Sequence, residues 1–151
     1  MKEVIIDGNN LIGKIKALSI LQKKDKIAAR EKLAFILDRF YSNKAVKVCL
    51  HFDGYKNISI KIEKIRIIYS NEKTADEKIK AQIEEAKNRK NISVVTSDRN
   101  LQEFAKVCSC GIISSEDFAK TIRRKIDRDD EQIRIDEINN IEEFKKIFNT
   151  K

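Results

Sequence analysis

One local event recurs along this chain and narrows what it can fold into: a short apolar run ends, and an aspartate follows at once. Residues 3–6 (EVII) give way to Asp7-Gly8, residues 45–52 (AVKVCLHF) to Asp53-Gly54, and residues 92–97 (ISVVTS) to Asp98. Short apolar runs bounded by turn residues read as strands buried on both faces. Two further runs, 64–69 (KIRIIY) and 111–114 (GIIS), bring the expected strands to five.

Helical spacing occupies most of the intervals. Residues 25–42 carry Asp25 as N-cap and an apolar stripe of Ile27, Leu33, Ile36, Leu37 and Phe40. Residues 74–89 open on a capping box, Thr74 followed by Glu77. Residues 99–109 predict another helix, with Gly111 placed to stop it. Ser114 or Ser115 then caps a basic helix running to about residue 128, and residues 140–149 (NIEEFKKIFN) predict a last helix. Segment 131–138 takes no assignment, and the crossover 55–63 shows no strong helix. The alternation implies an α/β fold, with a mostly parallel sheet between helical layers and a single domain over residues 1–151.

Parallel strands share a direction, so Asp7, Asp53 and Asp98 are expected at one carboxyl edge, where open α/β sheets bind ligands. Asp76, in the first turn of the helix leading into the fourth strand, is expected at the same edge. Each acid also has a plainer reading: helix-dipole partner for Asp76, turn residue for Asp53, N-cap for Asp98, loop residue for Asp7. Together they point to a metal pocket. Crowded carboxylates repel one another, and a hard cation such as Mg²⁺ or Mn²⁺ relieves that repulsion through oxygen ligands.

The balance of charge supplies a partner. Lysine and arginine number 32 against 24 aspartate and glutamate, a net charge of +8, which points to an anionic partner and to nucleic acid first. A basic surface around an acidic metal pocket suits phosphodiester hydrolysis. No apolar run approaches the ~18 residues of a membrane span. The opening MKEVIIDGNN has too short an apolar run for a signal peptide, so the expected location is the cytoplasm. Cys49, Cys108 and Cys110 form neither a disulfide framework nor a zinc-ligand spacing and read as packing residues.

The blocks IIDGNNLIG (5–13), HFDG (51–54), YSNEKTADEKI (69–79) and VVTSDRNLQEFA (94–105), followed by GIISSEDF (111–118), resemble the YacP-like NYN domain family of the PIN-like nuclease superfamily. That family includes a ribosome-associated endoribonuclease. The resemblance covers about residues 3 to 120. It implies a three-layer α/β/α sandwich with sheet order 3-2-1-4-5, reversing between the strands that end at Asp7 and Asp98. It makes Asp7, Asp76 and Asp98 the catalytic, metal-binding acids, with Asp53 as a supporting ligand and Mg²⁺ or Mn²⁺ as the ion. It implies RNA as substrate, with messenger RNA on the ribosome as its physiological form. Asn10 stands where the superfamily places a polar residue that orients the scissile phosphate or a metal-bound water, and Asn9 where relatives often carry tyrosine.

Other side chains are candidates for substrate contact. Ser97 and Arg99 flank Asp98 and suit phosphate; Lys73 precedes the helix that opens at Thr74. Lys120 and Arg124 lie four apart on the basic helix and share a face, as a phosphate-binding stripe or a solvated surface. Of the tyrosines, Tyr55 is best placed to stack on a base. His51, the only histidine, is expected to be structural, since metal-dependent hydrolysis needs none. Two rivals to an endoribonuclease remain: an RNA- or ribosome-binding module with little activity, and a DNA-directed 5′ nuclease. The chain lacks the length for the extra helical arch of the latter.

Overall fold

The computed structural model describes residues 1–59, 61–125 and 128. The chain divides into two compact units, Met1–Ala119 and Lys120–Lys151. The predicted helix at 140–149 and the segment 131–138 lie outside the described residues.

The first unit is an α/β/α sandwich. Its strands are β1 (Lys2–Asp7), β2 (Val46–Phe52), β3 (Arg66–Tyr69), β4 (Ile92–Val95) and β5 (Gly111–Ile113). They form one sheet in the order β3-β2-β1-β4-β5, and every pairing is parallel. The helices are α1 (Gly8–Lys14), α2 (Lys16–Lys24), α3 (Lys26–Tyr41), α4 (Ala75–Glu85) and α5 (Arg99–Val107), with a 3₁₀ turn at Arg89–Asn91. A sixth helix, α6 (115–125), starts in this unit. Its cap is Ser114, whose hydroxyl accepts from the N–H of Asp117 at 3.1 Å. Residues 120–125, in the second unit, are helical, as is Arg128.

Side chains of β1 and β2 alternate between the two helical layers, as the period of a strand requires. Ile5 packs with Ile79 and Ile83 of α4, Ile92 and Val94 of β4, and Leu101 and Ala105 of α5. Phe52 faces the other layer, where Gly8 opens α1 and Arg30 of α3 lies over its ring at 4.8 Å. Ile5, Ile79, Ile83, Leu33 and Leu37 are fully buried, each contributing about 1.5–3 kcal/mol to the core.

Local differences from the sequence expectation have identifiable causes. Residues 8–24, left without an element, form α1 and α2. Gly8 reads as a turn residue but starts a helix, because a Cβ there would lie 2.6 Å from the Phe52 ring and from the carbonyl oxygen of His51. Helix α4 ends at Glu85 rather than near 89: the Arg89 guanidinium turns back and donates to the carbonyls of Ile83 (3.2 Å) and Glu84 (2.9 Å), occupying its C-terminal acceptors. Helix α5 is stopped not by Gly111 but by Ser109 at φ 67°, and Gly111 opens β5. On α3 the Asp25 cap is present, accepting from Ala28, but Ile27 is 43% exposed while Arg30 is buried.

Candidate active site

Strands β1, β2 and β4 run parallel, and Asp7, Asp53 and Asp98 sit at or just beyond their carboxyl ends. Asp7 and Asp98 flank the point where the order reverses, between β1 and β4. Two of the acids act on the third. The Asp7 carboxyl is pushed up from 3.8 to about 6, chiefly by burial and further by the charges of Asp53 and Asp98, against the Thr96 hydroxyl and the Asn10 backbone, which favour its ionised form.

Neighbouring polar groups hold each acid in place. Thr96, fully buried, donates its hydroxyl to Asp7 Oδ2 at 3.0 Å and accepts from the backbone N–H of Asp98 at 3.1 Å. One side chain therefore sets the two acids that flank the reversal. Asp98 Oδ1 caps α5 through the N–H of Leu101 at 3.1 Å, so its capping role and its place in the cluster coexist. The N–H of Asp53 donates to Asn9 Oδ1 at 3.0 Å, and Asp53 Oδ1 accepts from the N–H of Ala75 at 2.7 Å, at the positive end of α4. Gly54, at φ +84°, lets the chain turn away, its N–H donating to the Ser70 hydroxyl at 2.9 Å.

Asp76 stands apart from this trio. Its Oδ2 pairs with Lys80 one turn along at 3.1 Å, and its Oδ1 is buried with no partner. It is tied to the other acids through the Asp53 bond to Ala75, its chain neighbour. Among the described residues no three His, Cys, Asp or Glu side chains are gathered into a ready-made metal site. The donors nevertheless suit a hard cation. Burial and, after it, like-charged neighbours raise Asp7, the buried oxygen of Asp76 lacks a donor, and Mg²⁺ keeps several waters while using only one or two carboxylates.

The expected substrate contacts have mixed fates. Asn10 Oδ1 is already occupied, accepting from the N–H of Ser97 at 3.0 Å and the Ser115 hydroxyl at 2.6 Å, so it braces α1 against the loop after β4 and the start of α6. The Ser97 hydroxyl donates to Glu116 and accepts from the N–H of Ser115, which leaves it little capacity for phosphate. That bond, with a backbone hydrogen bond and Lys14 at 3.2 Å, holds Glu116 down to about 2. Arg99 and Lys73 are exposed, and Lys73 lines a hollow beside Tyr55. Lys120 and Arg124 are exposed on the helical segment of the second unit. His51 is buried, its Nε2 2.7 Å from Gln82 Oε1, and burial lowers its pKa. The sequence reading missed the positioning roles of Asn9, Thr96 and Ser115. All three are polar residues beside strand ends, and nothing in their spacing marks them.

A parallel sheet of order 3-2-1-4-5 that reverses between two aspartates, with a third at the same edge, is the arrangement expected of a PIN-like nuclease domain. Residues 4–151 match the YacP-like NYN domain, and the chain belongs to that family. Among solved structures it is similar to Rae1 (YacP) from Bacillus subtilis, with 26% identity over 98% of this chain and 92% of that one, at a TM-score of 0.73. A tryptophan-to-leucine mutant of that protein gives 27% identity over 88% and 84% of the two chains, at a TM-score of 0.70. No curated protein matches the chain.

Proposed function

We propose that this single NYN domain, residues 1–151, is a divalent-metal-dependent endoribonuclease that hydrolyses phosphodiester bonds in single-stranded RNA. The observation that carries the reading is the placing of Asp7, Asp53 and Asp98 at one carboxyl edge, with Thr96 bridging Asp7 and Asp98 across the reversal point of the sheet, in a protein of net charge +8. Asp7, Asp98 and Asp53 would hold Mg²⁺ or Mn²⁺, with the partnerless oxygen of Asp76 as a further ligand. Such an ion would supply polarisation of a phosphoryl oxygen and a lowered pKa for water at the site. The chain's own part is positional. Thr96 fixes Asp7 relative to Asp98, Asn9 and the α4 terminus fix Asp53, and Arg99 and Lys73 attract the backbone phosphates. Water adds across the P–O ester bond, leaving a phosphate on one fragment and a hydroxyl on the other. Messenger RNA engaged on the ribosome, in the cytoplasm, is the physiological substrate this reading favours; no helix among the described residues is long and apolar enough to cross a membrane.

Cleavage of a labelled single-stranded RNA should require Mg²⁺ or Mn²⁺, stop with EDTA, and fall at least a hundredfold in Asp7→Asn and in Asp98→Asn. Undiminished cutting by both variants in a clean preparation would overturn the site. One observation favours a second reading, an RNA- or ribosome-binding module with little activity: among the described residues the acids do not form a preassembled metal group. RNA binding without metal-dependent cutting by the wild type would select that reading.

A further inference from the structure

Helix α4 packs on β1 and β2, and on the same sheet face Arg66 and Ile68 of β3 line a hollow beside it. Two hollows lie in this region. One, about 460 Å³, lies beyond the carboxyl ends of β2 and β3 and is lined by Tyr55, Ser70, Lys73 and Lys78. The other, about 370 Å³, runs alongside α4 and is lined by Lys78, His51, Arg66 and Lys47. Lys78 lines both, so the two hollows are neighbours at its side chain.

We propose that these two neighbouring hollows form a track for single-stranded RNA, carrying the nucleotides next to the scissile phosphate away from the aspartate edge, past Tyr55 and Lys78, to Arg66. The proposal rests on the endoribonuclease reading and adds the path of the substrate. Its charge leans positive: Lys47, Arg66, Lys73 and Lys78 line it with Glu3, Glu72 and Glu85; Lys73, Lys78 and Arg66 have no ion-pair partner among the described residues, while the Glu3 carboxylate is taken by Gln82 at 2.7 Å and Lys47 at 3.9 Å. Its chemistry fits a single strand, since Tyr55 is 62% exposed at the entrance and an exposed ring stacks on any base. Its floor is built. Gln82 gives its amide N–H to Glu3, so its carbonyl oxygen faces His51, and His51 Nε2 must be the protonated nitrogen. Nδ1 of this buried ring is then an acceptor without a donor, close enough to Lys78 and Arg66 for their charges to oppose its protonation. Arg66 pairs with Cys49 in register, four residues before Asp53, so the track extends about 13 Å from the edge at ~3.3 Å per residue.

The test is binding of fluorescein-labelled oligouridylates, a 12-mer and a 4-mer, to the full chain in EDTA. The double variant Arg66→Ala/Lys78→Ala should bind the 12-mer at least tenfold more weakly. The slope of log K against log salt should become shallower by about 1.4, two phosphates at ~0.7 each. The 4-mer should lose less than twofold, and Arg66→Lys/Lys78→Arg should restore 12-mer binding. Wild-type affinity and slope in the double alanine variant, or equal losses on both oligomers, would overturn the track. Loss of polyglutamate binding with RNA binding untouched would also overturn it, assigning the hollows to an acidic protein. These readouts do not depend on catalysis. A wild type that binds as described but never cuts would sink the endoribonuclease reading and leave the track standing.

Discussion

Replacing Asp7 with asparagine should abolish cutting and at the same time stabilise the metal-free protein at neutral pH. The Asp7 carboxyl moves from 3.8 to about 6 on folding, which corresponds to an upper limit of about 3 kcal/mol. The sign follows from proton counting. Between pH ~4 and ~6 the folded state holds more protons on Asp7 than the unfolded state, so wild-type stability falls as pH rises through that window and stays lowered above it. Asparagine carries no charge to desolvate. Its carbonyl can accept from Thr96 as Oδ2 does now, and its N–H groups would meet the Asp53 and Asp98 carboxylates favourably. Partial solvent access and imperfect replacement of the hydrogen bonds reduce the expected gain to about 1–2 kcal/mol at pH 7.5, or roughly 3–6 °C in Tm. The assay is chemical or thermal unfolding of both proteins in EDTA at pH 4, 5.5 and 7.5. The gain should be near zero at the lowest pH and full at the highest. Adding Mn²⁺ should stabilise the wild type and leave the variant unchanged. A variant less stable than wild type at pH 7.5, or a gain independent of pH, would refute the argument that burial and like charges strain this carboxylate.

Thr96→Val strands both Asp7 Oδ2 and the Asp98 N–H, so unfolding measurements should show a loss of about 1–3 kcal/mol, with cleavage reduced and Thr96→Ser largely restoring both. Gly8→Ala drives a methyl into the Phe52 ring and the His51 carbonyl at 2.6 Å and should cost about 1–3 kcal/mol, read as a lower Tm at unchanged secondary structure by circular dichroism. Asp38→Ala frees the N–H groups of Lys64 and Ile65, held by its Oδ1 at 2.7 and 3.2 Å; faster hydrogen exchange at those two amides with little change at β1 is the expected result. For His51 the folded-state pKa is lowered by burial, so the unfolded state binds the proton more readily and the histidine's contribution is full above pH ~6.5 and lost as pH falls below it. His51→Gln should flatten the acid limb of the stability profile between pH ~6.5 and ~5, measured by urea unfolding.

The sheet was legible because its information is local and redundant. Each strand is a compact apolar run, each ends at a turn residue, and the alternation with helical spacing forces parallel pairing. The same economy revealed Asp7, Asp53 and Asp98, since a residue just after a parallel strand has only one edge to occupy. What the sequence could not show depends on contacts between distant segments. Gly8 looks like a turn until the Phe52 ring is set against it. Arg30 sits on an apolar stripe because Phe52 offers its ring face and Asp53 its charge, and neither is near it in sequence. Ser97 looked available for phosphate, but across the fold its hydroxyl is taken by Glu116 and Ser115; Asn10 spends its carbonyl oxygen on Ser97 and Ser115 and keeps its amide N–H groups for a phosphate or a water.

Those spent side chains bear on how the site works. A carboxylate raised by burial and by like charges will swing toward water and away from its neighbours unless something opposes the motion, and here the opposition is supplied by groups with no charge of their own. The Thr96 hydroxyl donates to one acid while accepting from the backbone of another, so Asp7 cannot shift without disturbing Asp98. Asn9 and the first N–H of α4 do the same for Asp53. The repulsion is thus stored in a fixed arrangement rather than relaxed by rotation, which is the condition under which a bound cation gains most from neutralising it. Asp76 differs: its bond to Lys80 is exposed enough for water to compete with it, and its second oxygen is buried without a partner. The fold therefore braces three acids with uncharged groups and holds the fourth through Lys80, so Asp76 should be the member that moves when an ion binds, and Lys80→Ala should ease that movement without disturbing the other three.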